Sequence, residues 1–394
     1  MTSRQTVFFR NDLTGEQVGF CAPREIIAPW NQDEFGPALE AADAARRAGK
    51  WLAGYISYEA GYLLEPKLRP LLPEGRRAPL FCLGVFDGPT DELPDLTTMQ
   101  DGEAELVDPV ACWSFERYRE SFHQLHRHLA LGDCYQGNLT FPVEARWHGD
   151  PLALMARMTA RQPVRHAALV DLDGPVVVSR SPELFFEVKE DRWIETLPMK
   201  GTAPRGTSPE QDRAQRLFLA NDPKNQAENR MIVDLLRNDI SRITEVGSLS
   251  VPELFHVETY PTVHQMVSRV RARLRPEIGL PEILEALFPC GSITGAPKIR
   301  AMEILRELED RPRDVYCGAI GWVAPTGRMR FSVAIRTLSL FPEGRATFNV
   351  GGGVVFDSTA EGEYAECLLK GRFATGMAPA SPSSRQCDGN PAAA

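Results

Sequence analysis

An α+β fold is predicted for this chain by three observations: short apolar runs separated by turn residues in hairpin order, amphipathic helical patterns between them, and 43% hydrophobic content over 394 residues, enough for a large core. In the first hundred residues, strand-like runs such as WLAGYISYEAGY mix with one Ala-rich helix, Pro37 to Lys50. The acid-rich stretch from Thr90 to Asp108 reads as a connection. An amphipathic helix pattern from Trp113 to Leu131 stops at Gly132, a residue that tolerates the left-handed conformation of a helix end, and a strand begins near Cys134. The chain thus divides into an N-terminal α+β segment integrated with the core, 1–112, a main domain, 113–374, and a tail, 375–394, whose Pro, Ser and Ala content predicts disorder. No internal repeat is found.

Within the main domain, Leu184 to Val188 and Trp193 to Met199 flank the turn Lys189 to Arg192. Antiparallel pairing about residue 191 sets Glu183 across from Lys200, with opposed Cβ atoms about 5 Å apart. A carboxylic acid beside an amine, followed by Gly201 and Thr202, suits proton transfer and covalent attack. An edge-strand salt bridge is the alternative.

A second hairpin, Tyr316 to Val323 with Arg328 to Leu340, centres on Thr326 and sets Tyr316 opposite Arg336. A further turn at Pro342 to Gly344 returns Val350 and Gly351 beside Arg336. The glycines Gly351, Gly352 and Gly353 let backbone N–H groups approach an anion closely. Arg336 shares its strand face with Ala334, Leu338 and Leu340 and therefore needs a counter-ion, either a structural carboxylate or an anionic ligand.

Two helices carry carboxylates. In KNQAENRMIVDLLRND, Glu228 continues the apolar stripe of Met231, Ile232, Leu235 and Leu236, where an acid is unexpected unless it serves the helix start. After the glycines, Ser358 with Glu361 forms a capping-box pattern opening a helix with Glu363, Glu366 and Lys370 on one face. A solvated face explains that trio alone. Combined, the three glutamates offer hard oxygens for a Mg²⁺ that keeps waters, and Arg336, Lys370 and Tyr316 a separate cationic clamp, which implies a substrate with two anionic groups. GSITGAPK, with Pro297 near the first helical position, adds a candidate anion site and lacks the order of a phosphate-binding P-loop.

Composition narrows the partners. A net charge of −9 without a basic run weighs against nucleic acid and anionic membrane. Eight scattered cysteines signal neither zinc nor a disulfide framework, and neither an apolar signal core nor a window of roughly 20 apolar residues is present, so a soluble cytoplasmic protein is expected.

The ordered motifs PMKGT, AENRMIVDLLRND, GSITGAPK, YCGAIGW, GGGVVFDS and EYAE, over roughly residues 115 to 372, resemble the chorismate-utilising enzymes. The resemblance implies two large, mainly antiparallel sheets packed together with helices outside, and Mg²⁺-dependent chemistry on chorismate. Gln136 stands where water-adding relatives carry a lysine base, which implies ammonia as the nucleophile. Lys200 stands where anthranilate-forming relatives have a small residue, which implies the branch making 4-amino-4-deoxychorismate for 4-aminobenzoate and folate.

By motif, Lys200 is the implied nucleophile, Glu183 the acid, and His264 a histidine near the reacting ring. Glu228, Glu366 and Glu363 are implied metal ligands. Tyr316, Arg336, Lys370 and the glycines would hold the pyruvyl carboxylate, and Ser292 and Thr294 would help with the ring carboxylate. Gln136, Gly201 and Thr202 would line the substrate. Met199, Gly137, Cys290 and Asn225 depart from the usual pattern, Asn225 where some relatives have an additional acid. No glutamine-hydrolysing domain is evident, so ammonia is expected from a separate glutamine amidotransferase subunit. The competing readings are an anthranilate-forming enzyme and a non-catalytic amino-acid-binding or regulatory subunit that keeps the fold.

Overall fold

Residues 5–100, 102–260 and 263–382 are described by a computed structural model. Among them the strands form two sheets, and every pairing between named strands is antiparallel. The first runs Gly295–Ala296, Gln136–Gly149, Arg345–Val354, Thr337–Leu340, Val176–Ser181, His166–Asp171, Thr6–Arg10, Gln17–Cys21, with Ala104–Ala111 also on Gln136–Gly149. The second runs Met199–Pro204, Val263–Arg273, Trp193–Thr196, Leu184–Val188, Met329–Val333, Ala319–Val323, Trp51–Ile56, Phe81–Phe86, Glu25–Ile27, with Ser250–Thr259 also on Val263–Arg273. This is the expected α+β architecture.

The two sheets share a core of Val7, Phe20, Val170 and Val177 from one and Tyr55, Phe86, Ile320 and Trp322 from the other. Helices cover the opposite faces. Phe115–Leu131, Pro151–Arg161 and Ala360–Lys370 pack on the first sheet, and Gln32–Arg47, Pro223–Ser241 and Leu280–Leu287 on the second. Burial on both faces explains why so many strands read as continuous apolar runs rather than alternating ones. No helix among the described residues is long and apolar enough to cross a membrane.

Several local expectations shift. The Ala-rich helix starts at Gln32 rather than Pro37, because Asn31 and Glu34 form a capping box before it, and it ends at Arg47. The stretch read as a connection, Thr90 to Asp108, runs into the strand Ala104–Ala111, whose hydrogen bonds come from a distant segment. The run Trp193 to Met199 breaks into two strands at Leu197 and Pro198. The helix after the glycines is capped by Thr359, whose hydroxyl accepts from the Gly362 N–H, not by Ser358. At the chain's end Ala380 exchanges backbone hydrogen bonds with Pro109 and Ala111, while the tail beyond 382 lies outside the described residues.

The hairpin about Thr326 has the expected register, from Val323↔Met329 to Ala319↔Val333, and Cys317 N–H to Ala334 O carries it on to the level of Tyr316 and Arg336. There the chain leaves the second sheet for the first. Arg336, with φ +52°, makes that crossing, and its carbonyl accepts from the Arg180 N–H. Left-handed backbone at a non-glycine residue is costly and persists only where surrounding structure demands it.

Candidate active site

Lys200 sits in a bulge, between the pairs Met199↔Val267 and Thr202↔Gln265. Gly201, at φ +93°, makes the bulge possible: a Cβ there would stand 2.8 Å from Asn225 Oδ1. Lys200 and Glu183 are brought near one another as expected, but by a different route. The Leu184–Val188 hairpin pairs only Glu187↔Glu195 and Val188↔Ile194, after which Leu184 turns to Ser332 and Met199 to Val267.

Glu183 is buried, and that burial lifts its pKa to about 7, against the opposing pull of the Ser292 hydroxyl and the Lys200 charge. Ser292 Oγ donates to Glu183 Oε1 at 2.7 Å. Lys200 keeps some accessible surface but is densely surrounded. Burial, with Lys370 nearby, depresses its pKa despite Glu183, Glu228 and Glu366. An acid able to hold its proton near neutrality thus faces an amine inclined to lose one.

Gln136 is 1% exposed, and among the described residues its Nε2 has no hydrogen-bond partner. A Cβ on Gly353 would lie 3.0 Å from that nitrogen and 3.4 Å from Lys200 Nζ, so a side chain at 353 would crowd both. A buried unpaired donor is costly and marks a place for a ligand acceptor.

Arg336 answers the question of its counter-ion. Among the described residues its guanidinium makes no ion pair, and burial alone lowers its pKa. Tyr316, opposite it, is buried, which drives its phenol pKa far up. Lys370 Nζ donates to Gly351 O at 2.9 Å and pairs with Glu366 at 2.8 Å.

The carboxylates converge electrostatically. Burial raises the pKa of Glu363, and Glu366 and Glu228 add to the rise. Ser358, released from capping, donates to Glu363 Oε1 at 2.7 Å, and the missing Cβ of Gly352 leaves room 2.7 Å from Glu363 Oε2. Burial opposes ionisation of Glu366 too, yet Lys370 and Lys200 hold its pKa below the ordinary value. Among the described residues no three such side chains form a ready-made metal group, Glu366 being turned onto Lys370. Hard, mutually repelling oxygens in this number fit a divalent ion that takes its other ligands from water and substrate.

Other expected residues are engaged elsewhere. His264 has both ring nitrogens in contact, Nδ1 with Thr259 Oγ1 and Nε2 with Asp212 Oδ1, each at 3.0 Å. It is thus a satisfied buried histidine with a paired strand on either side, and among the described residues no contact joins it to Lys200 or Glu183. Thr294 is fully buried, and its hydroxyl donates to Cys290 O, 3.1 Å, shaping the loop. Thr202 is exposed, its hydroxyl on Gln265 Oε1. Pro297 stands at the N-cap position, one residue before the helix Lys298–Leu308, and makes no capping hydrogen bond. Sequence reasoning missed Glu309 and Arg313, a buried pair just beyond the end of the Lys298–Leu308 helix, where no helical pattern signals it. A groove of about 670 Å³ lined by Arg213, Leu217, Leu254 and Phe255 contains none of these residues, so chemistry rather than volume marks the site.

Comparison with known proteins agrees. Residues 14–376 match the family model described as chorismate binding enzyme. Aminodeoxychorismate synthase component 1 of Klebsiella aerogenes is 44% identical over 289 residues, 72% of this chain and 64% of that protein, so the match spans less than two thirds of the relative's length. Anthranilate synthase component 1 of Methanothermobacter thermautotrophicus is 34% identical over 337 residues, 81% of this chain and 72% of that one. The crystal structure of anthranilate synthase component I from Streptococcus pneumoniae superposes with a TM-score of 0.76 at 24% identity, covering 94% of this chain and 92% of that one, a likeness of fold.

Proposed function

The chain belongs to the chorismate binding enzymes, and from that premise we propose that it aminates chorismate with ammonia to give 4-amino-4-deoxychorismate. The observation that carries this reading is Lys200, deprotonation-prone, beside Glu183, whose pKa of about 7 suits a general acid. The relatives named aminodeoxychorismate synthase support it.

In the proposed reaction, the Lys200 amine forms a bond to C2 of the ring, the ring double bond shifts, and the C4–O bond breaks. Glu183 gives its proton to the leaving hydroxyl, which departs as water. Ammonia then bonds to C4, the double bond returns, and the C2–N bond to Lys200 breaks, restoring the amine once the ammonium has lost its proton to Glu183. Arg336, Tyr316 and Lys370 would hold the pyruvyl carboxylate. Gln136 Nε2 would take a substrate oxygen, and as a neutral amide it offers no base for attack by water. Glu228, Glu363 and Glu366 would hold Mg²⁺, whose charge would orient and neutralise the ring carboxylate. Ammonia would come from a glutamine amidotransferase subunit.

Formation of anthranilate is the competing reading, favoured by the Methanothermobacter relative. The test is to incubate the protein with chorismate, Mg²⁺ and ammonium salt and weigh the product. 4-Amino-4-deoxychorismate retains the pyruvyl ether, whereas anthranilate with released pyruvate would overturn the assignment.

A further inference from the structure

Arg313 is 3% exposed and wholly committed. Its Nε donates to Glu309 Oε2 at 2.8 Å and its Nη2 to Glu309 Oε1 at 2.7 Å, a bidentate pair. Nη1 reaches Ile293 O at 3.1 Å and Nη2 reaches Asn138 O at 2.8 Å. The guanidinium lies over the Tyr58 ring, 4.4 Å from its centroid. Glu309 Oε1 also accepts the N–H and hydroxyl of Thr140, at 2.9 and 3.1 Å. None of these bonds reaches a substrate position.

What they reach are the supports of the site. Ile293 follows Ser292, whose hydroxyl holds Glu183. Asn138 lies two residues beyond Gln136 and pairs with Gly353. An ion pair serving stability alone is replaceable by apolar packing, but this one orders two main-chain carbonyls in two separate site segments.

We propose that the Glu309–Arg313 pair is a positioning unit for the acid Glu183, acting through the loop that carries Ser292 and the strand that carries Gln136. The inference rests on the reading of Glu183 as the acid of the reaction. Two side chains act on the Glu183 carboxyl: Ser292 from the loop, itself in contact with Cys290 Sγ at 3.3 Å, and Lys200 from the bulged strand. Arg313 governs the loop.

The test is Arg313→Lys, which keeps the charge but lacks the planar fork that serves a carboxylate and two carbonyls together. A misplacement of ~1 Å costs on the order of 100-fold in rate, so kcat should fall about 10- to 100-fold with KM little changed. The Ser292 hydrogen bond holds the Glu183 pKa down, so loosening it should move the alkaline limb of the kcat/KM profile to higher pH. Ser292→Ala should do the same, and the double variant should shift no further. Infrared titration of the Glu183 carboxyl, its band identified with Glu183→Gln, should move alongside without any turnover. That band shift in a protein that makes no 4-amino-4-deoxychorismate would leave the positioning unit standing and sink the functional reading. A rate loss with limb and band unmoved would reduce the pair to a fold-holding contact and overturn the inference. If Arg313→Lys does not fold, Glu309→Gln is read by the same two measurements.

Discussion

Replacing Arg336 with Met should make the free protein more stable and its hold on a dicarboxylate weaker. Among the described residues the guanidinium has no ion pair, and burial lowers its pKa without any carboxylate to oppose it. The side chain is only half-buried, so leaving its cation without a counter-ion costs at most about 1–3 kcal/mol. Unfolding entropy of ~2.1 cal/mol/K per residue over 394 residues amounts to about 0.8 kcal/mol/K, so the released cost raises Tm by at most roughly 1–4 °C. Methionine fills much of the same volume and leaves the left-handed backbone cost unchanged. Binding moves the other way, since losing a charge-assisted hydrogen-bond pair costs about 1.5–3 kcal/mol, roughly 10- to 150-fold in Kd. Scanning calorimetry without ligand and calorimetric titration with chorismate read the two effects separately. A lower Tm in the unliganded variant, with chorismate affinity unchanged, would refute the reasoning, because it would mean that the cation has a structural partner.

Three further outcomes are expected. Lys200→Ala should abolish any covalent adduct with chorismate in intact-protein mass spectra, and an adduct persisting in the variant would remove the nucleophile. Glu366→Ala, which also frees Lys370 from its 2.8 Å pairing, should raise the Mg²⁺ concentration for half-maximal activity at least tenfold, and an unchanged requirement would exclude the ligand role. Glu59, lifted to about 8 by burial and by Asp314, binds its proton more tightly folded than unfolded. Its contribution to stability is therefore full below about pH 4.5 and lost as pH rises through about 8. Glu59→Gln should thus lose less stability than the wild type between pH 5 and 8 in urea denaturation, and parallel losses would reject the account.

The register of the hairpin about Thr326 was legible because a turn with a fixed centre acts locally. The encounter of Glu183 with Lys200 was legible only in outcome. A straight hairpin put them together on paper, whereas the molecule breaks the second strand at Pro198 and re-pairs both arms with partners far along the chain. Glu228 on the Pro223–Ser241 helix was readable because an acid continuing an apolar stripe conflicts with burial, whereas the Ala360–Lys370 acids, explicable alone as a solvated face, gained meaning only in combination with it. His264 was read from motif position; its contact with Thr259 comes from the paired strand, whereas that with Asp212 depends on the packing of the Pro209–Asn221 helix, which no local pattern encodes. Arg313 escaped notice because Asn138 and Ile293, which it joins, are far apart in sequence.

The passage of the chain from one sheet to the other at Arg336 gives the site a built-in gauge. Arg336 hangs from the seam between the layers, while Lys200 belongs to one layer, Gln136 and the glycines to the other, and Glu183 to the link between Val176–Ser181 and Leu184–Val188. Any change in how the layers seat on one another, even a resized side chain at Ile320 or Val177, would alter the spacing between cation and amine. Repacking that distant seam should therefore be felt first as altered substrate fit, before the protein loses measurable stability.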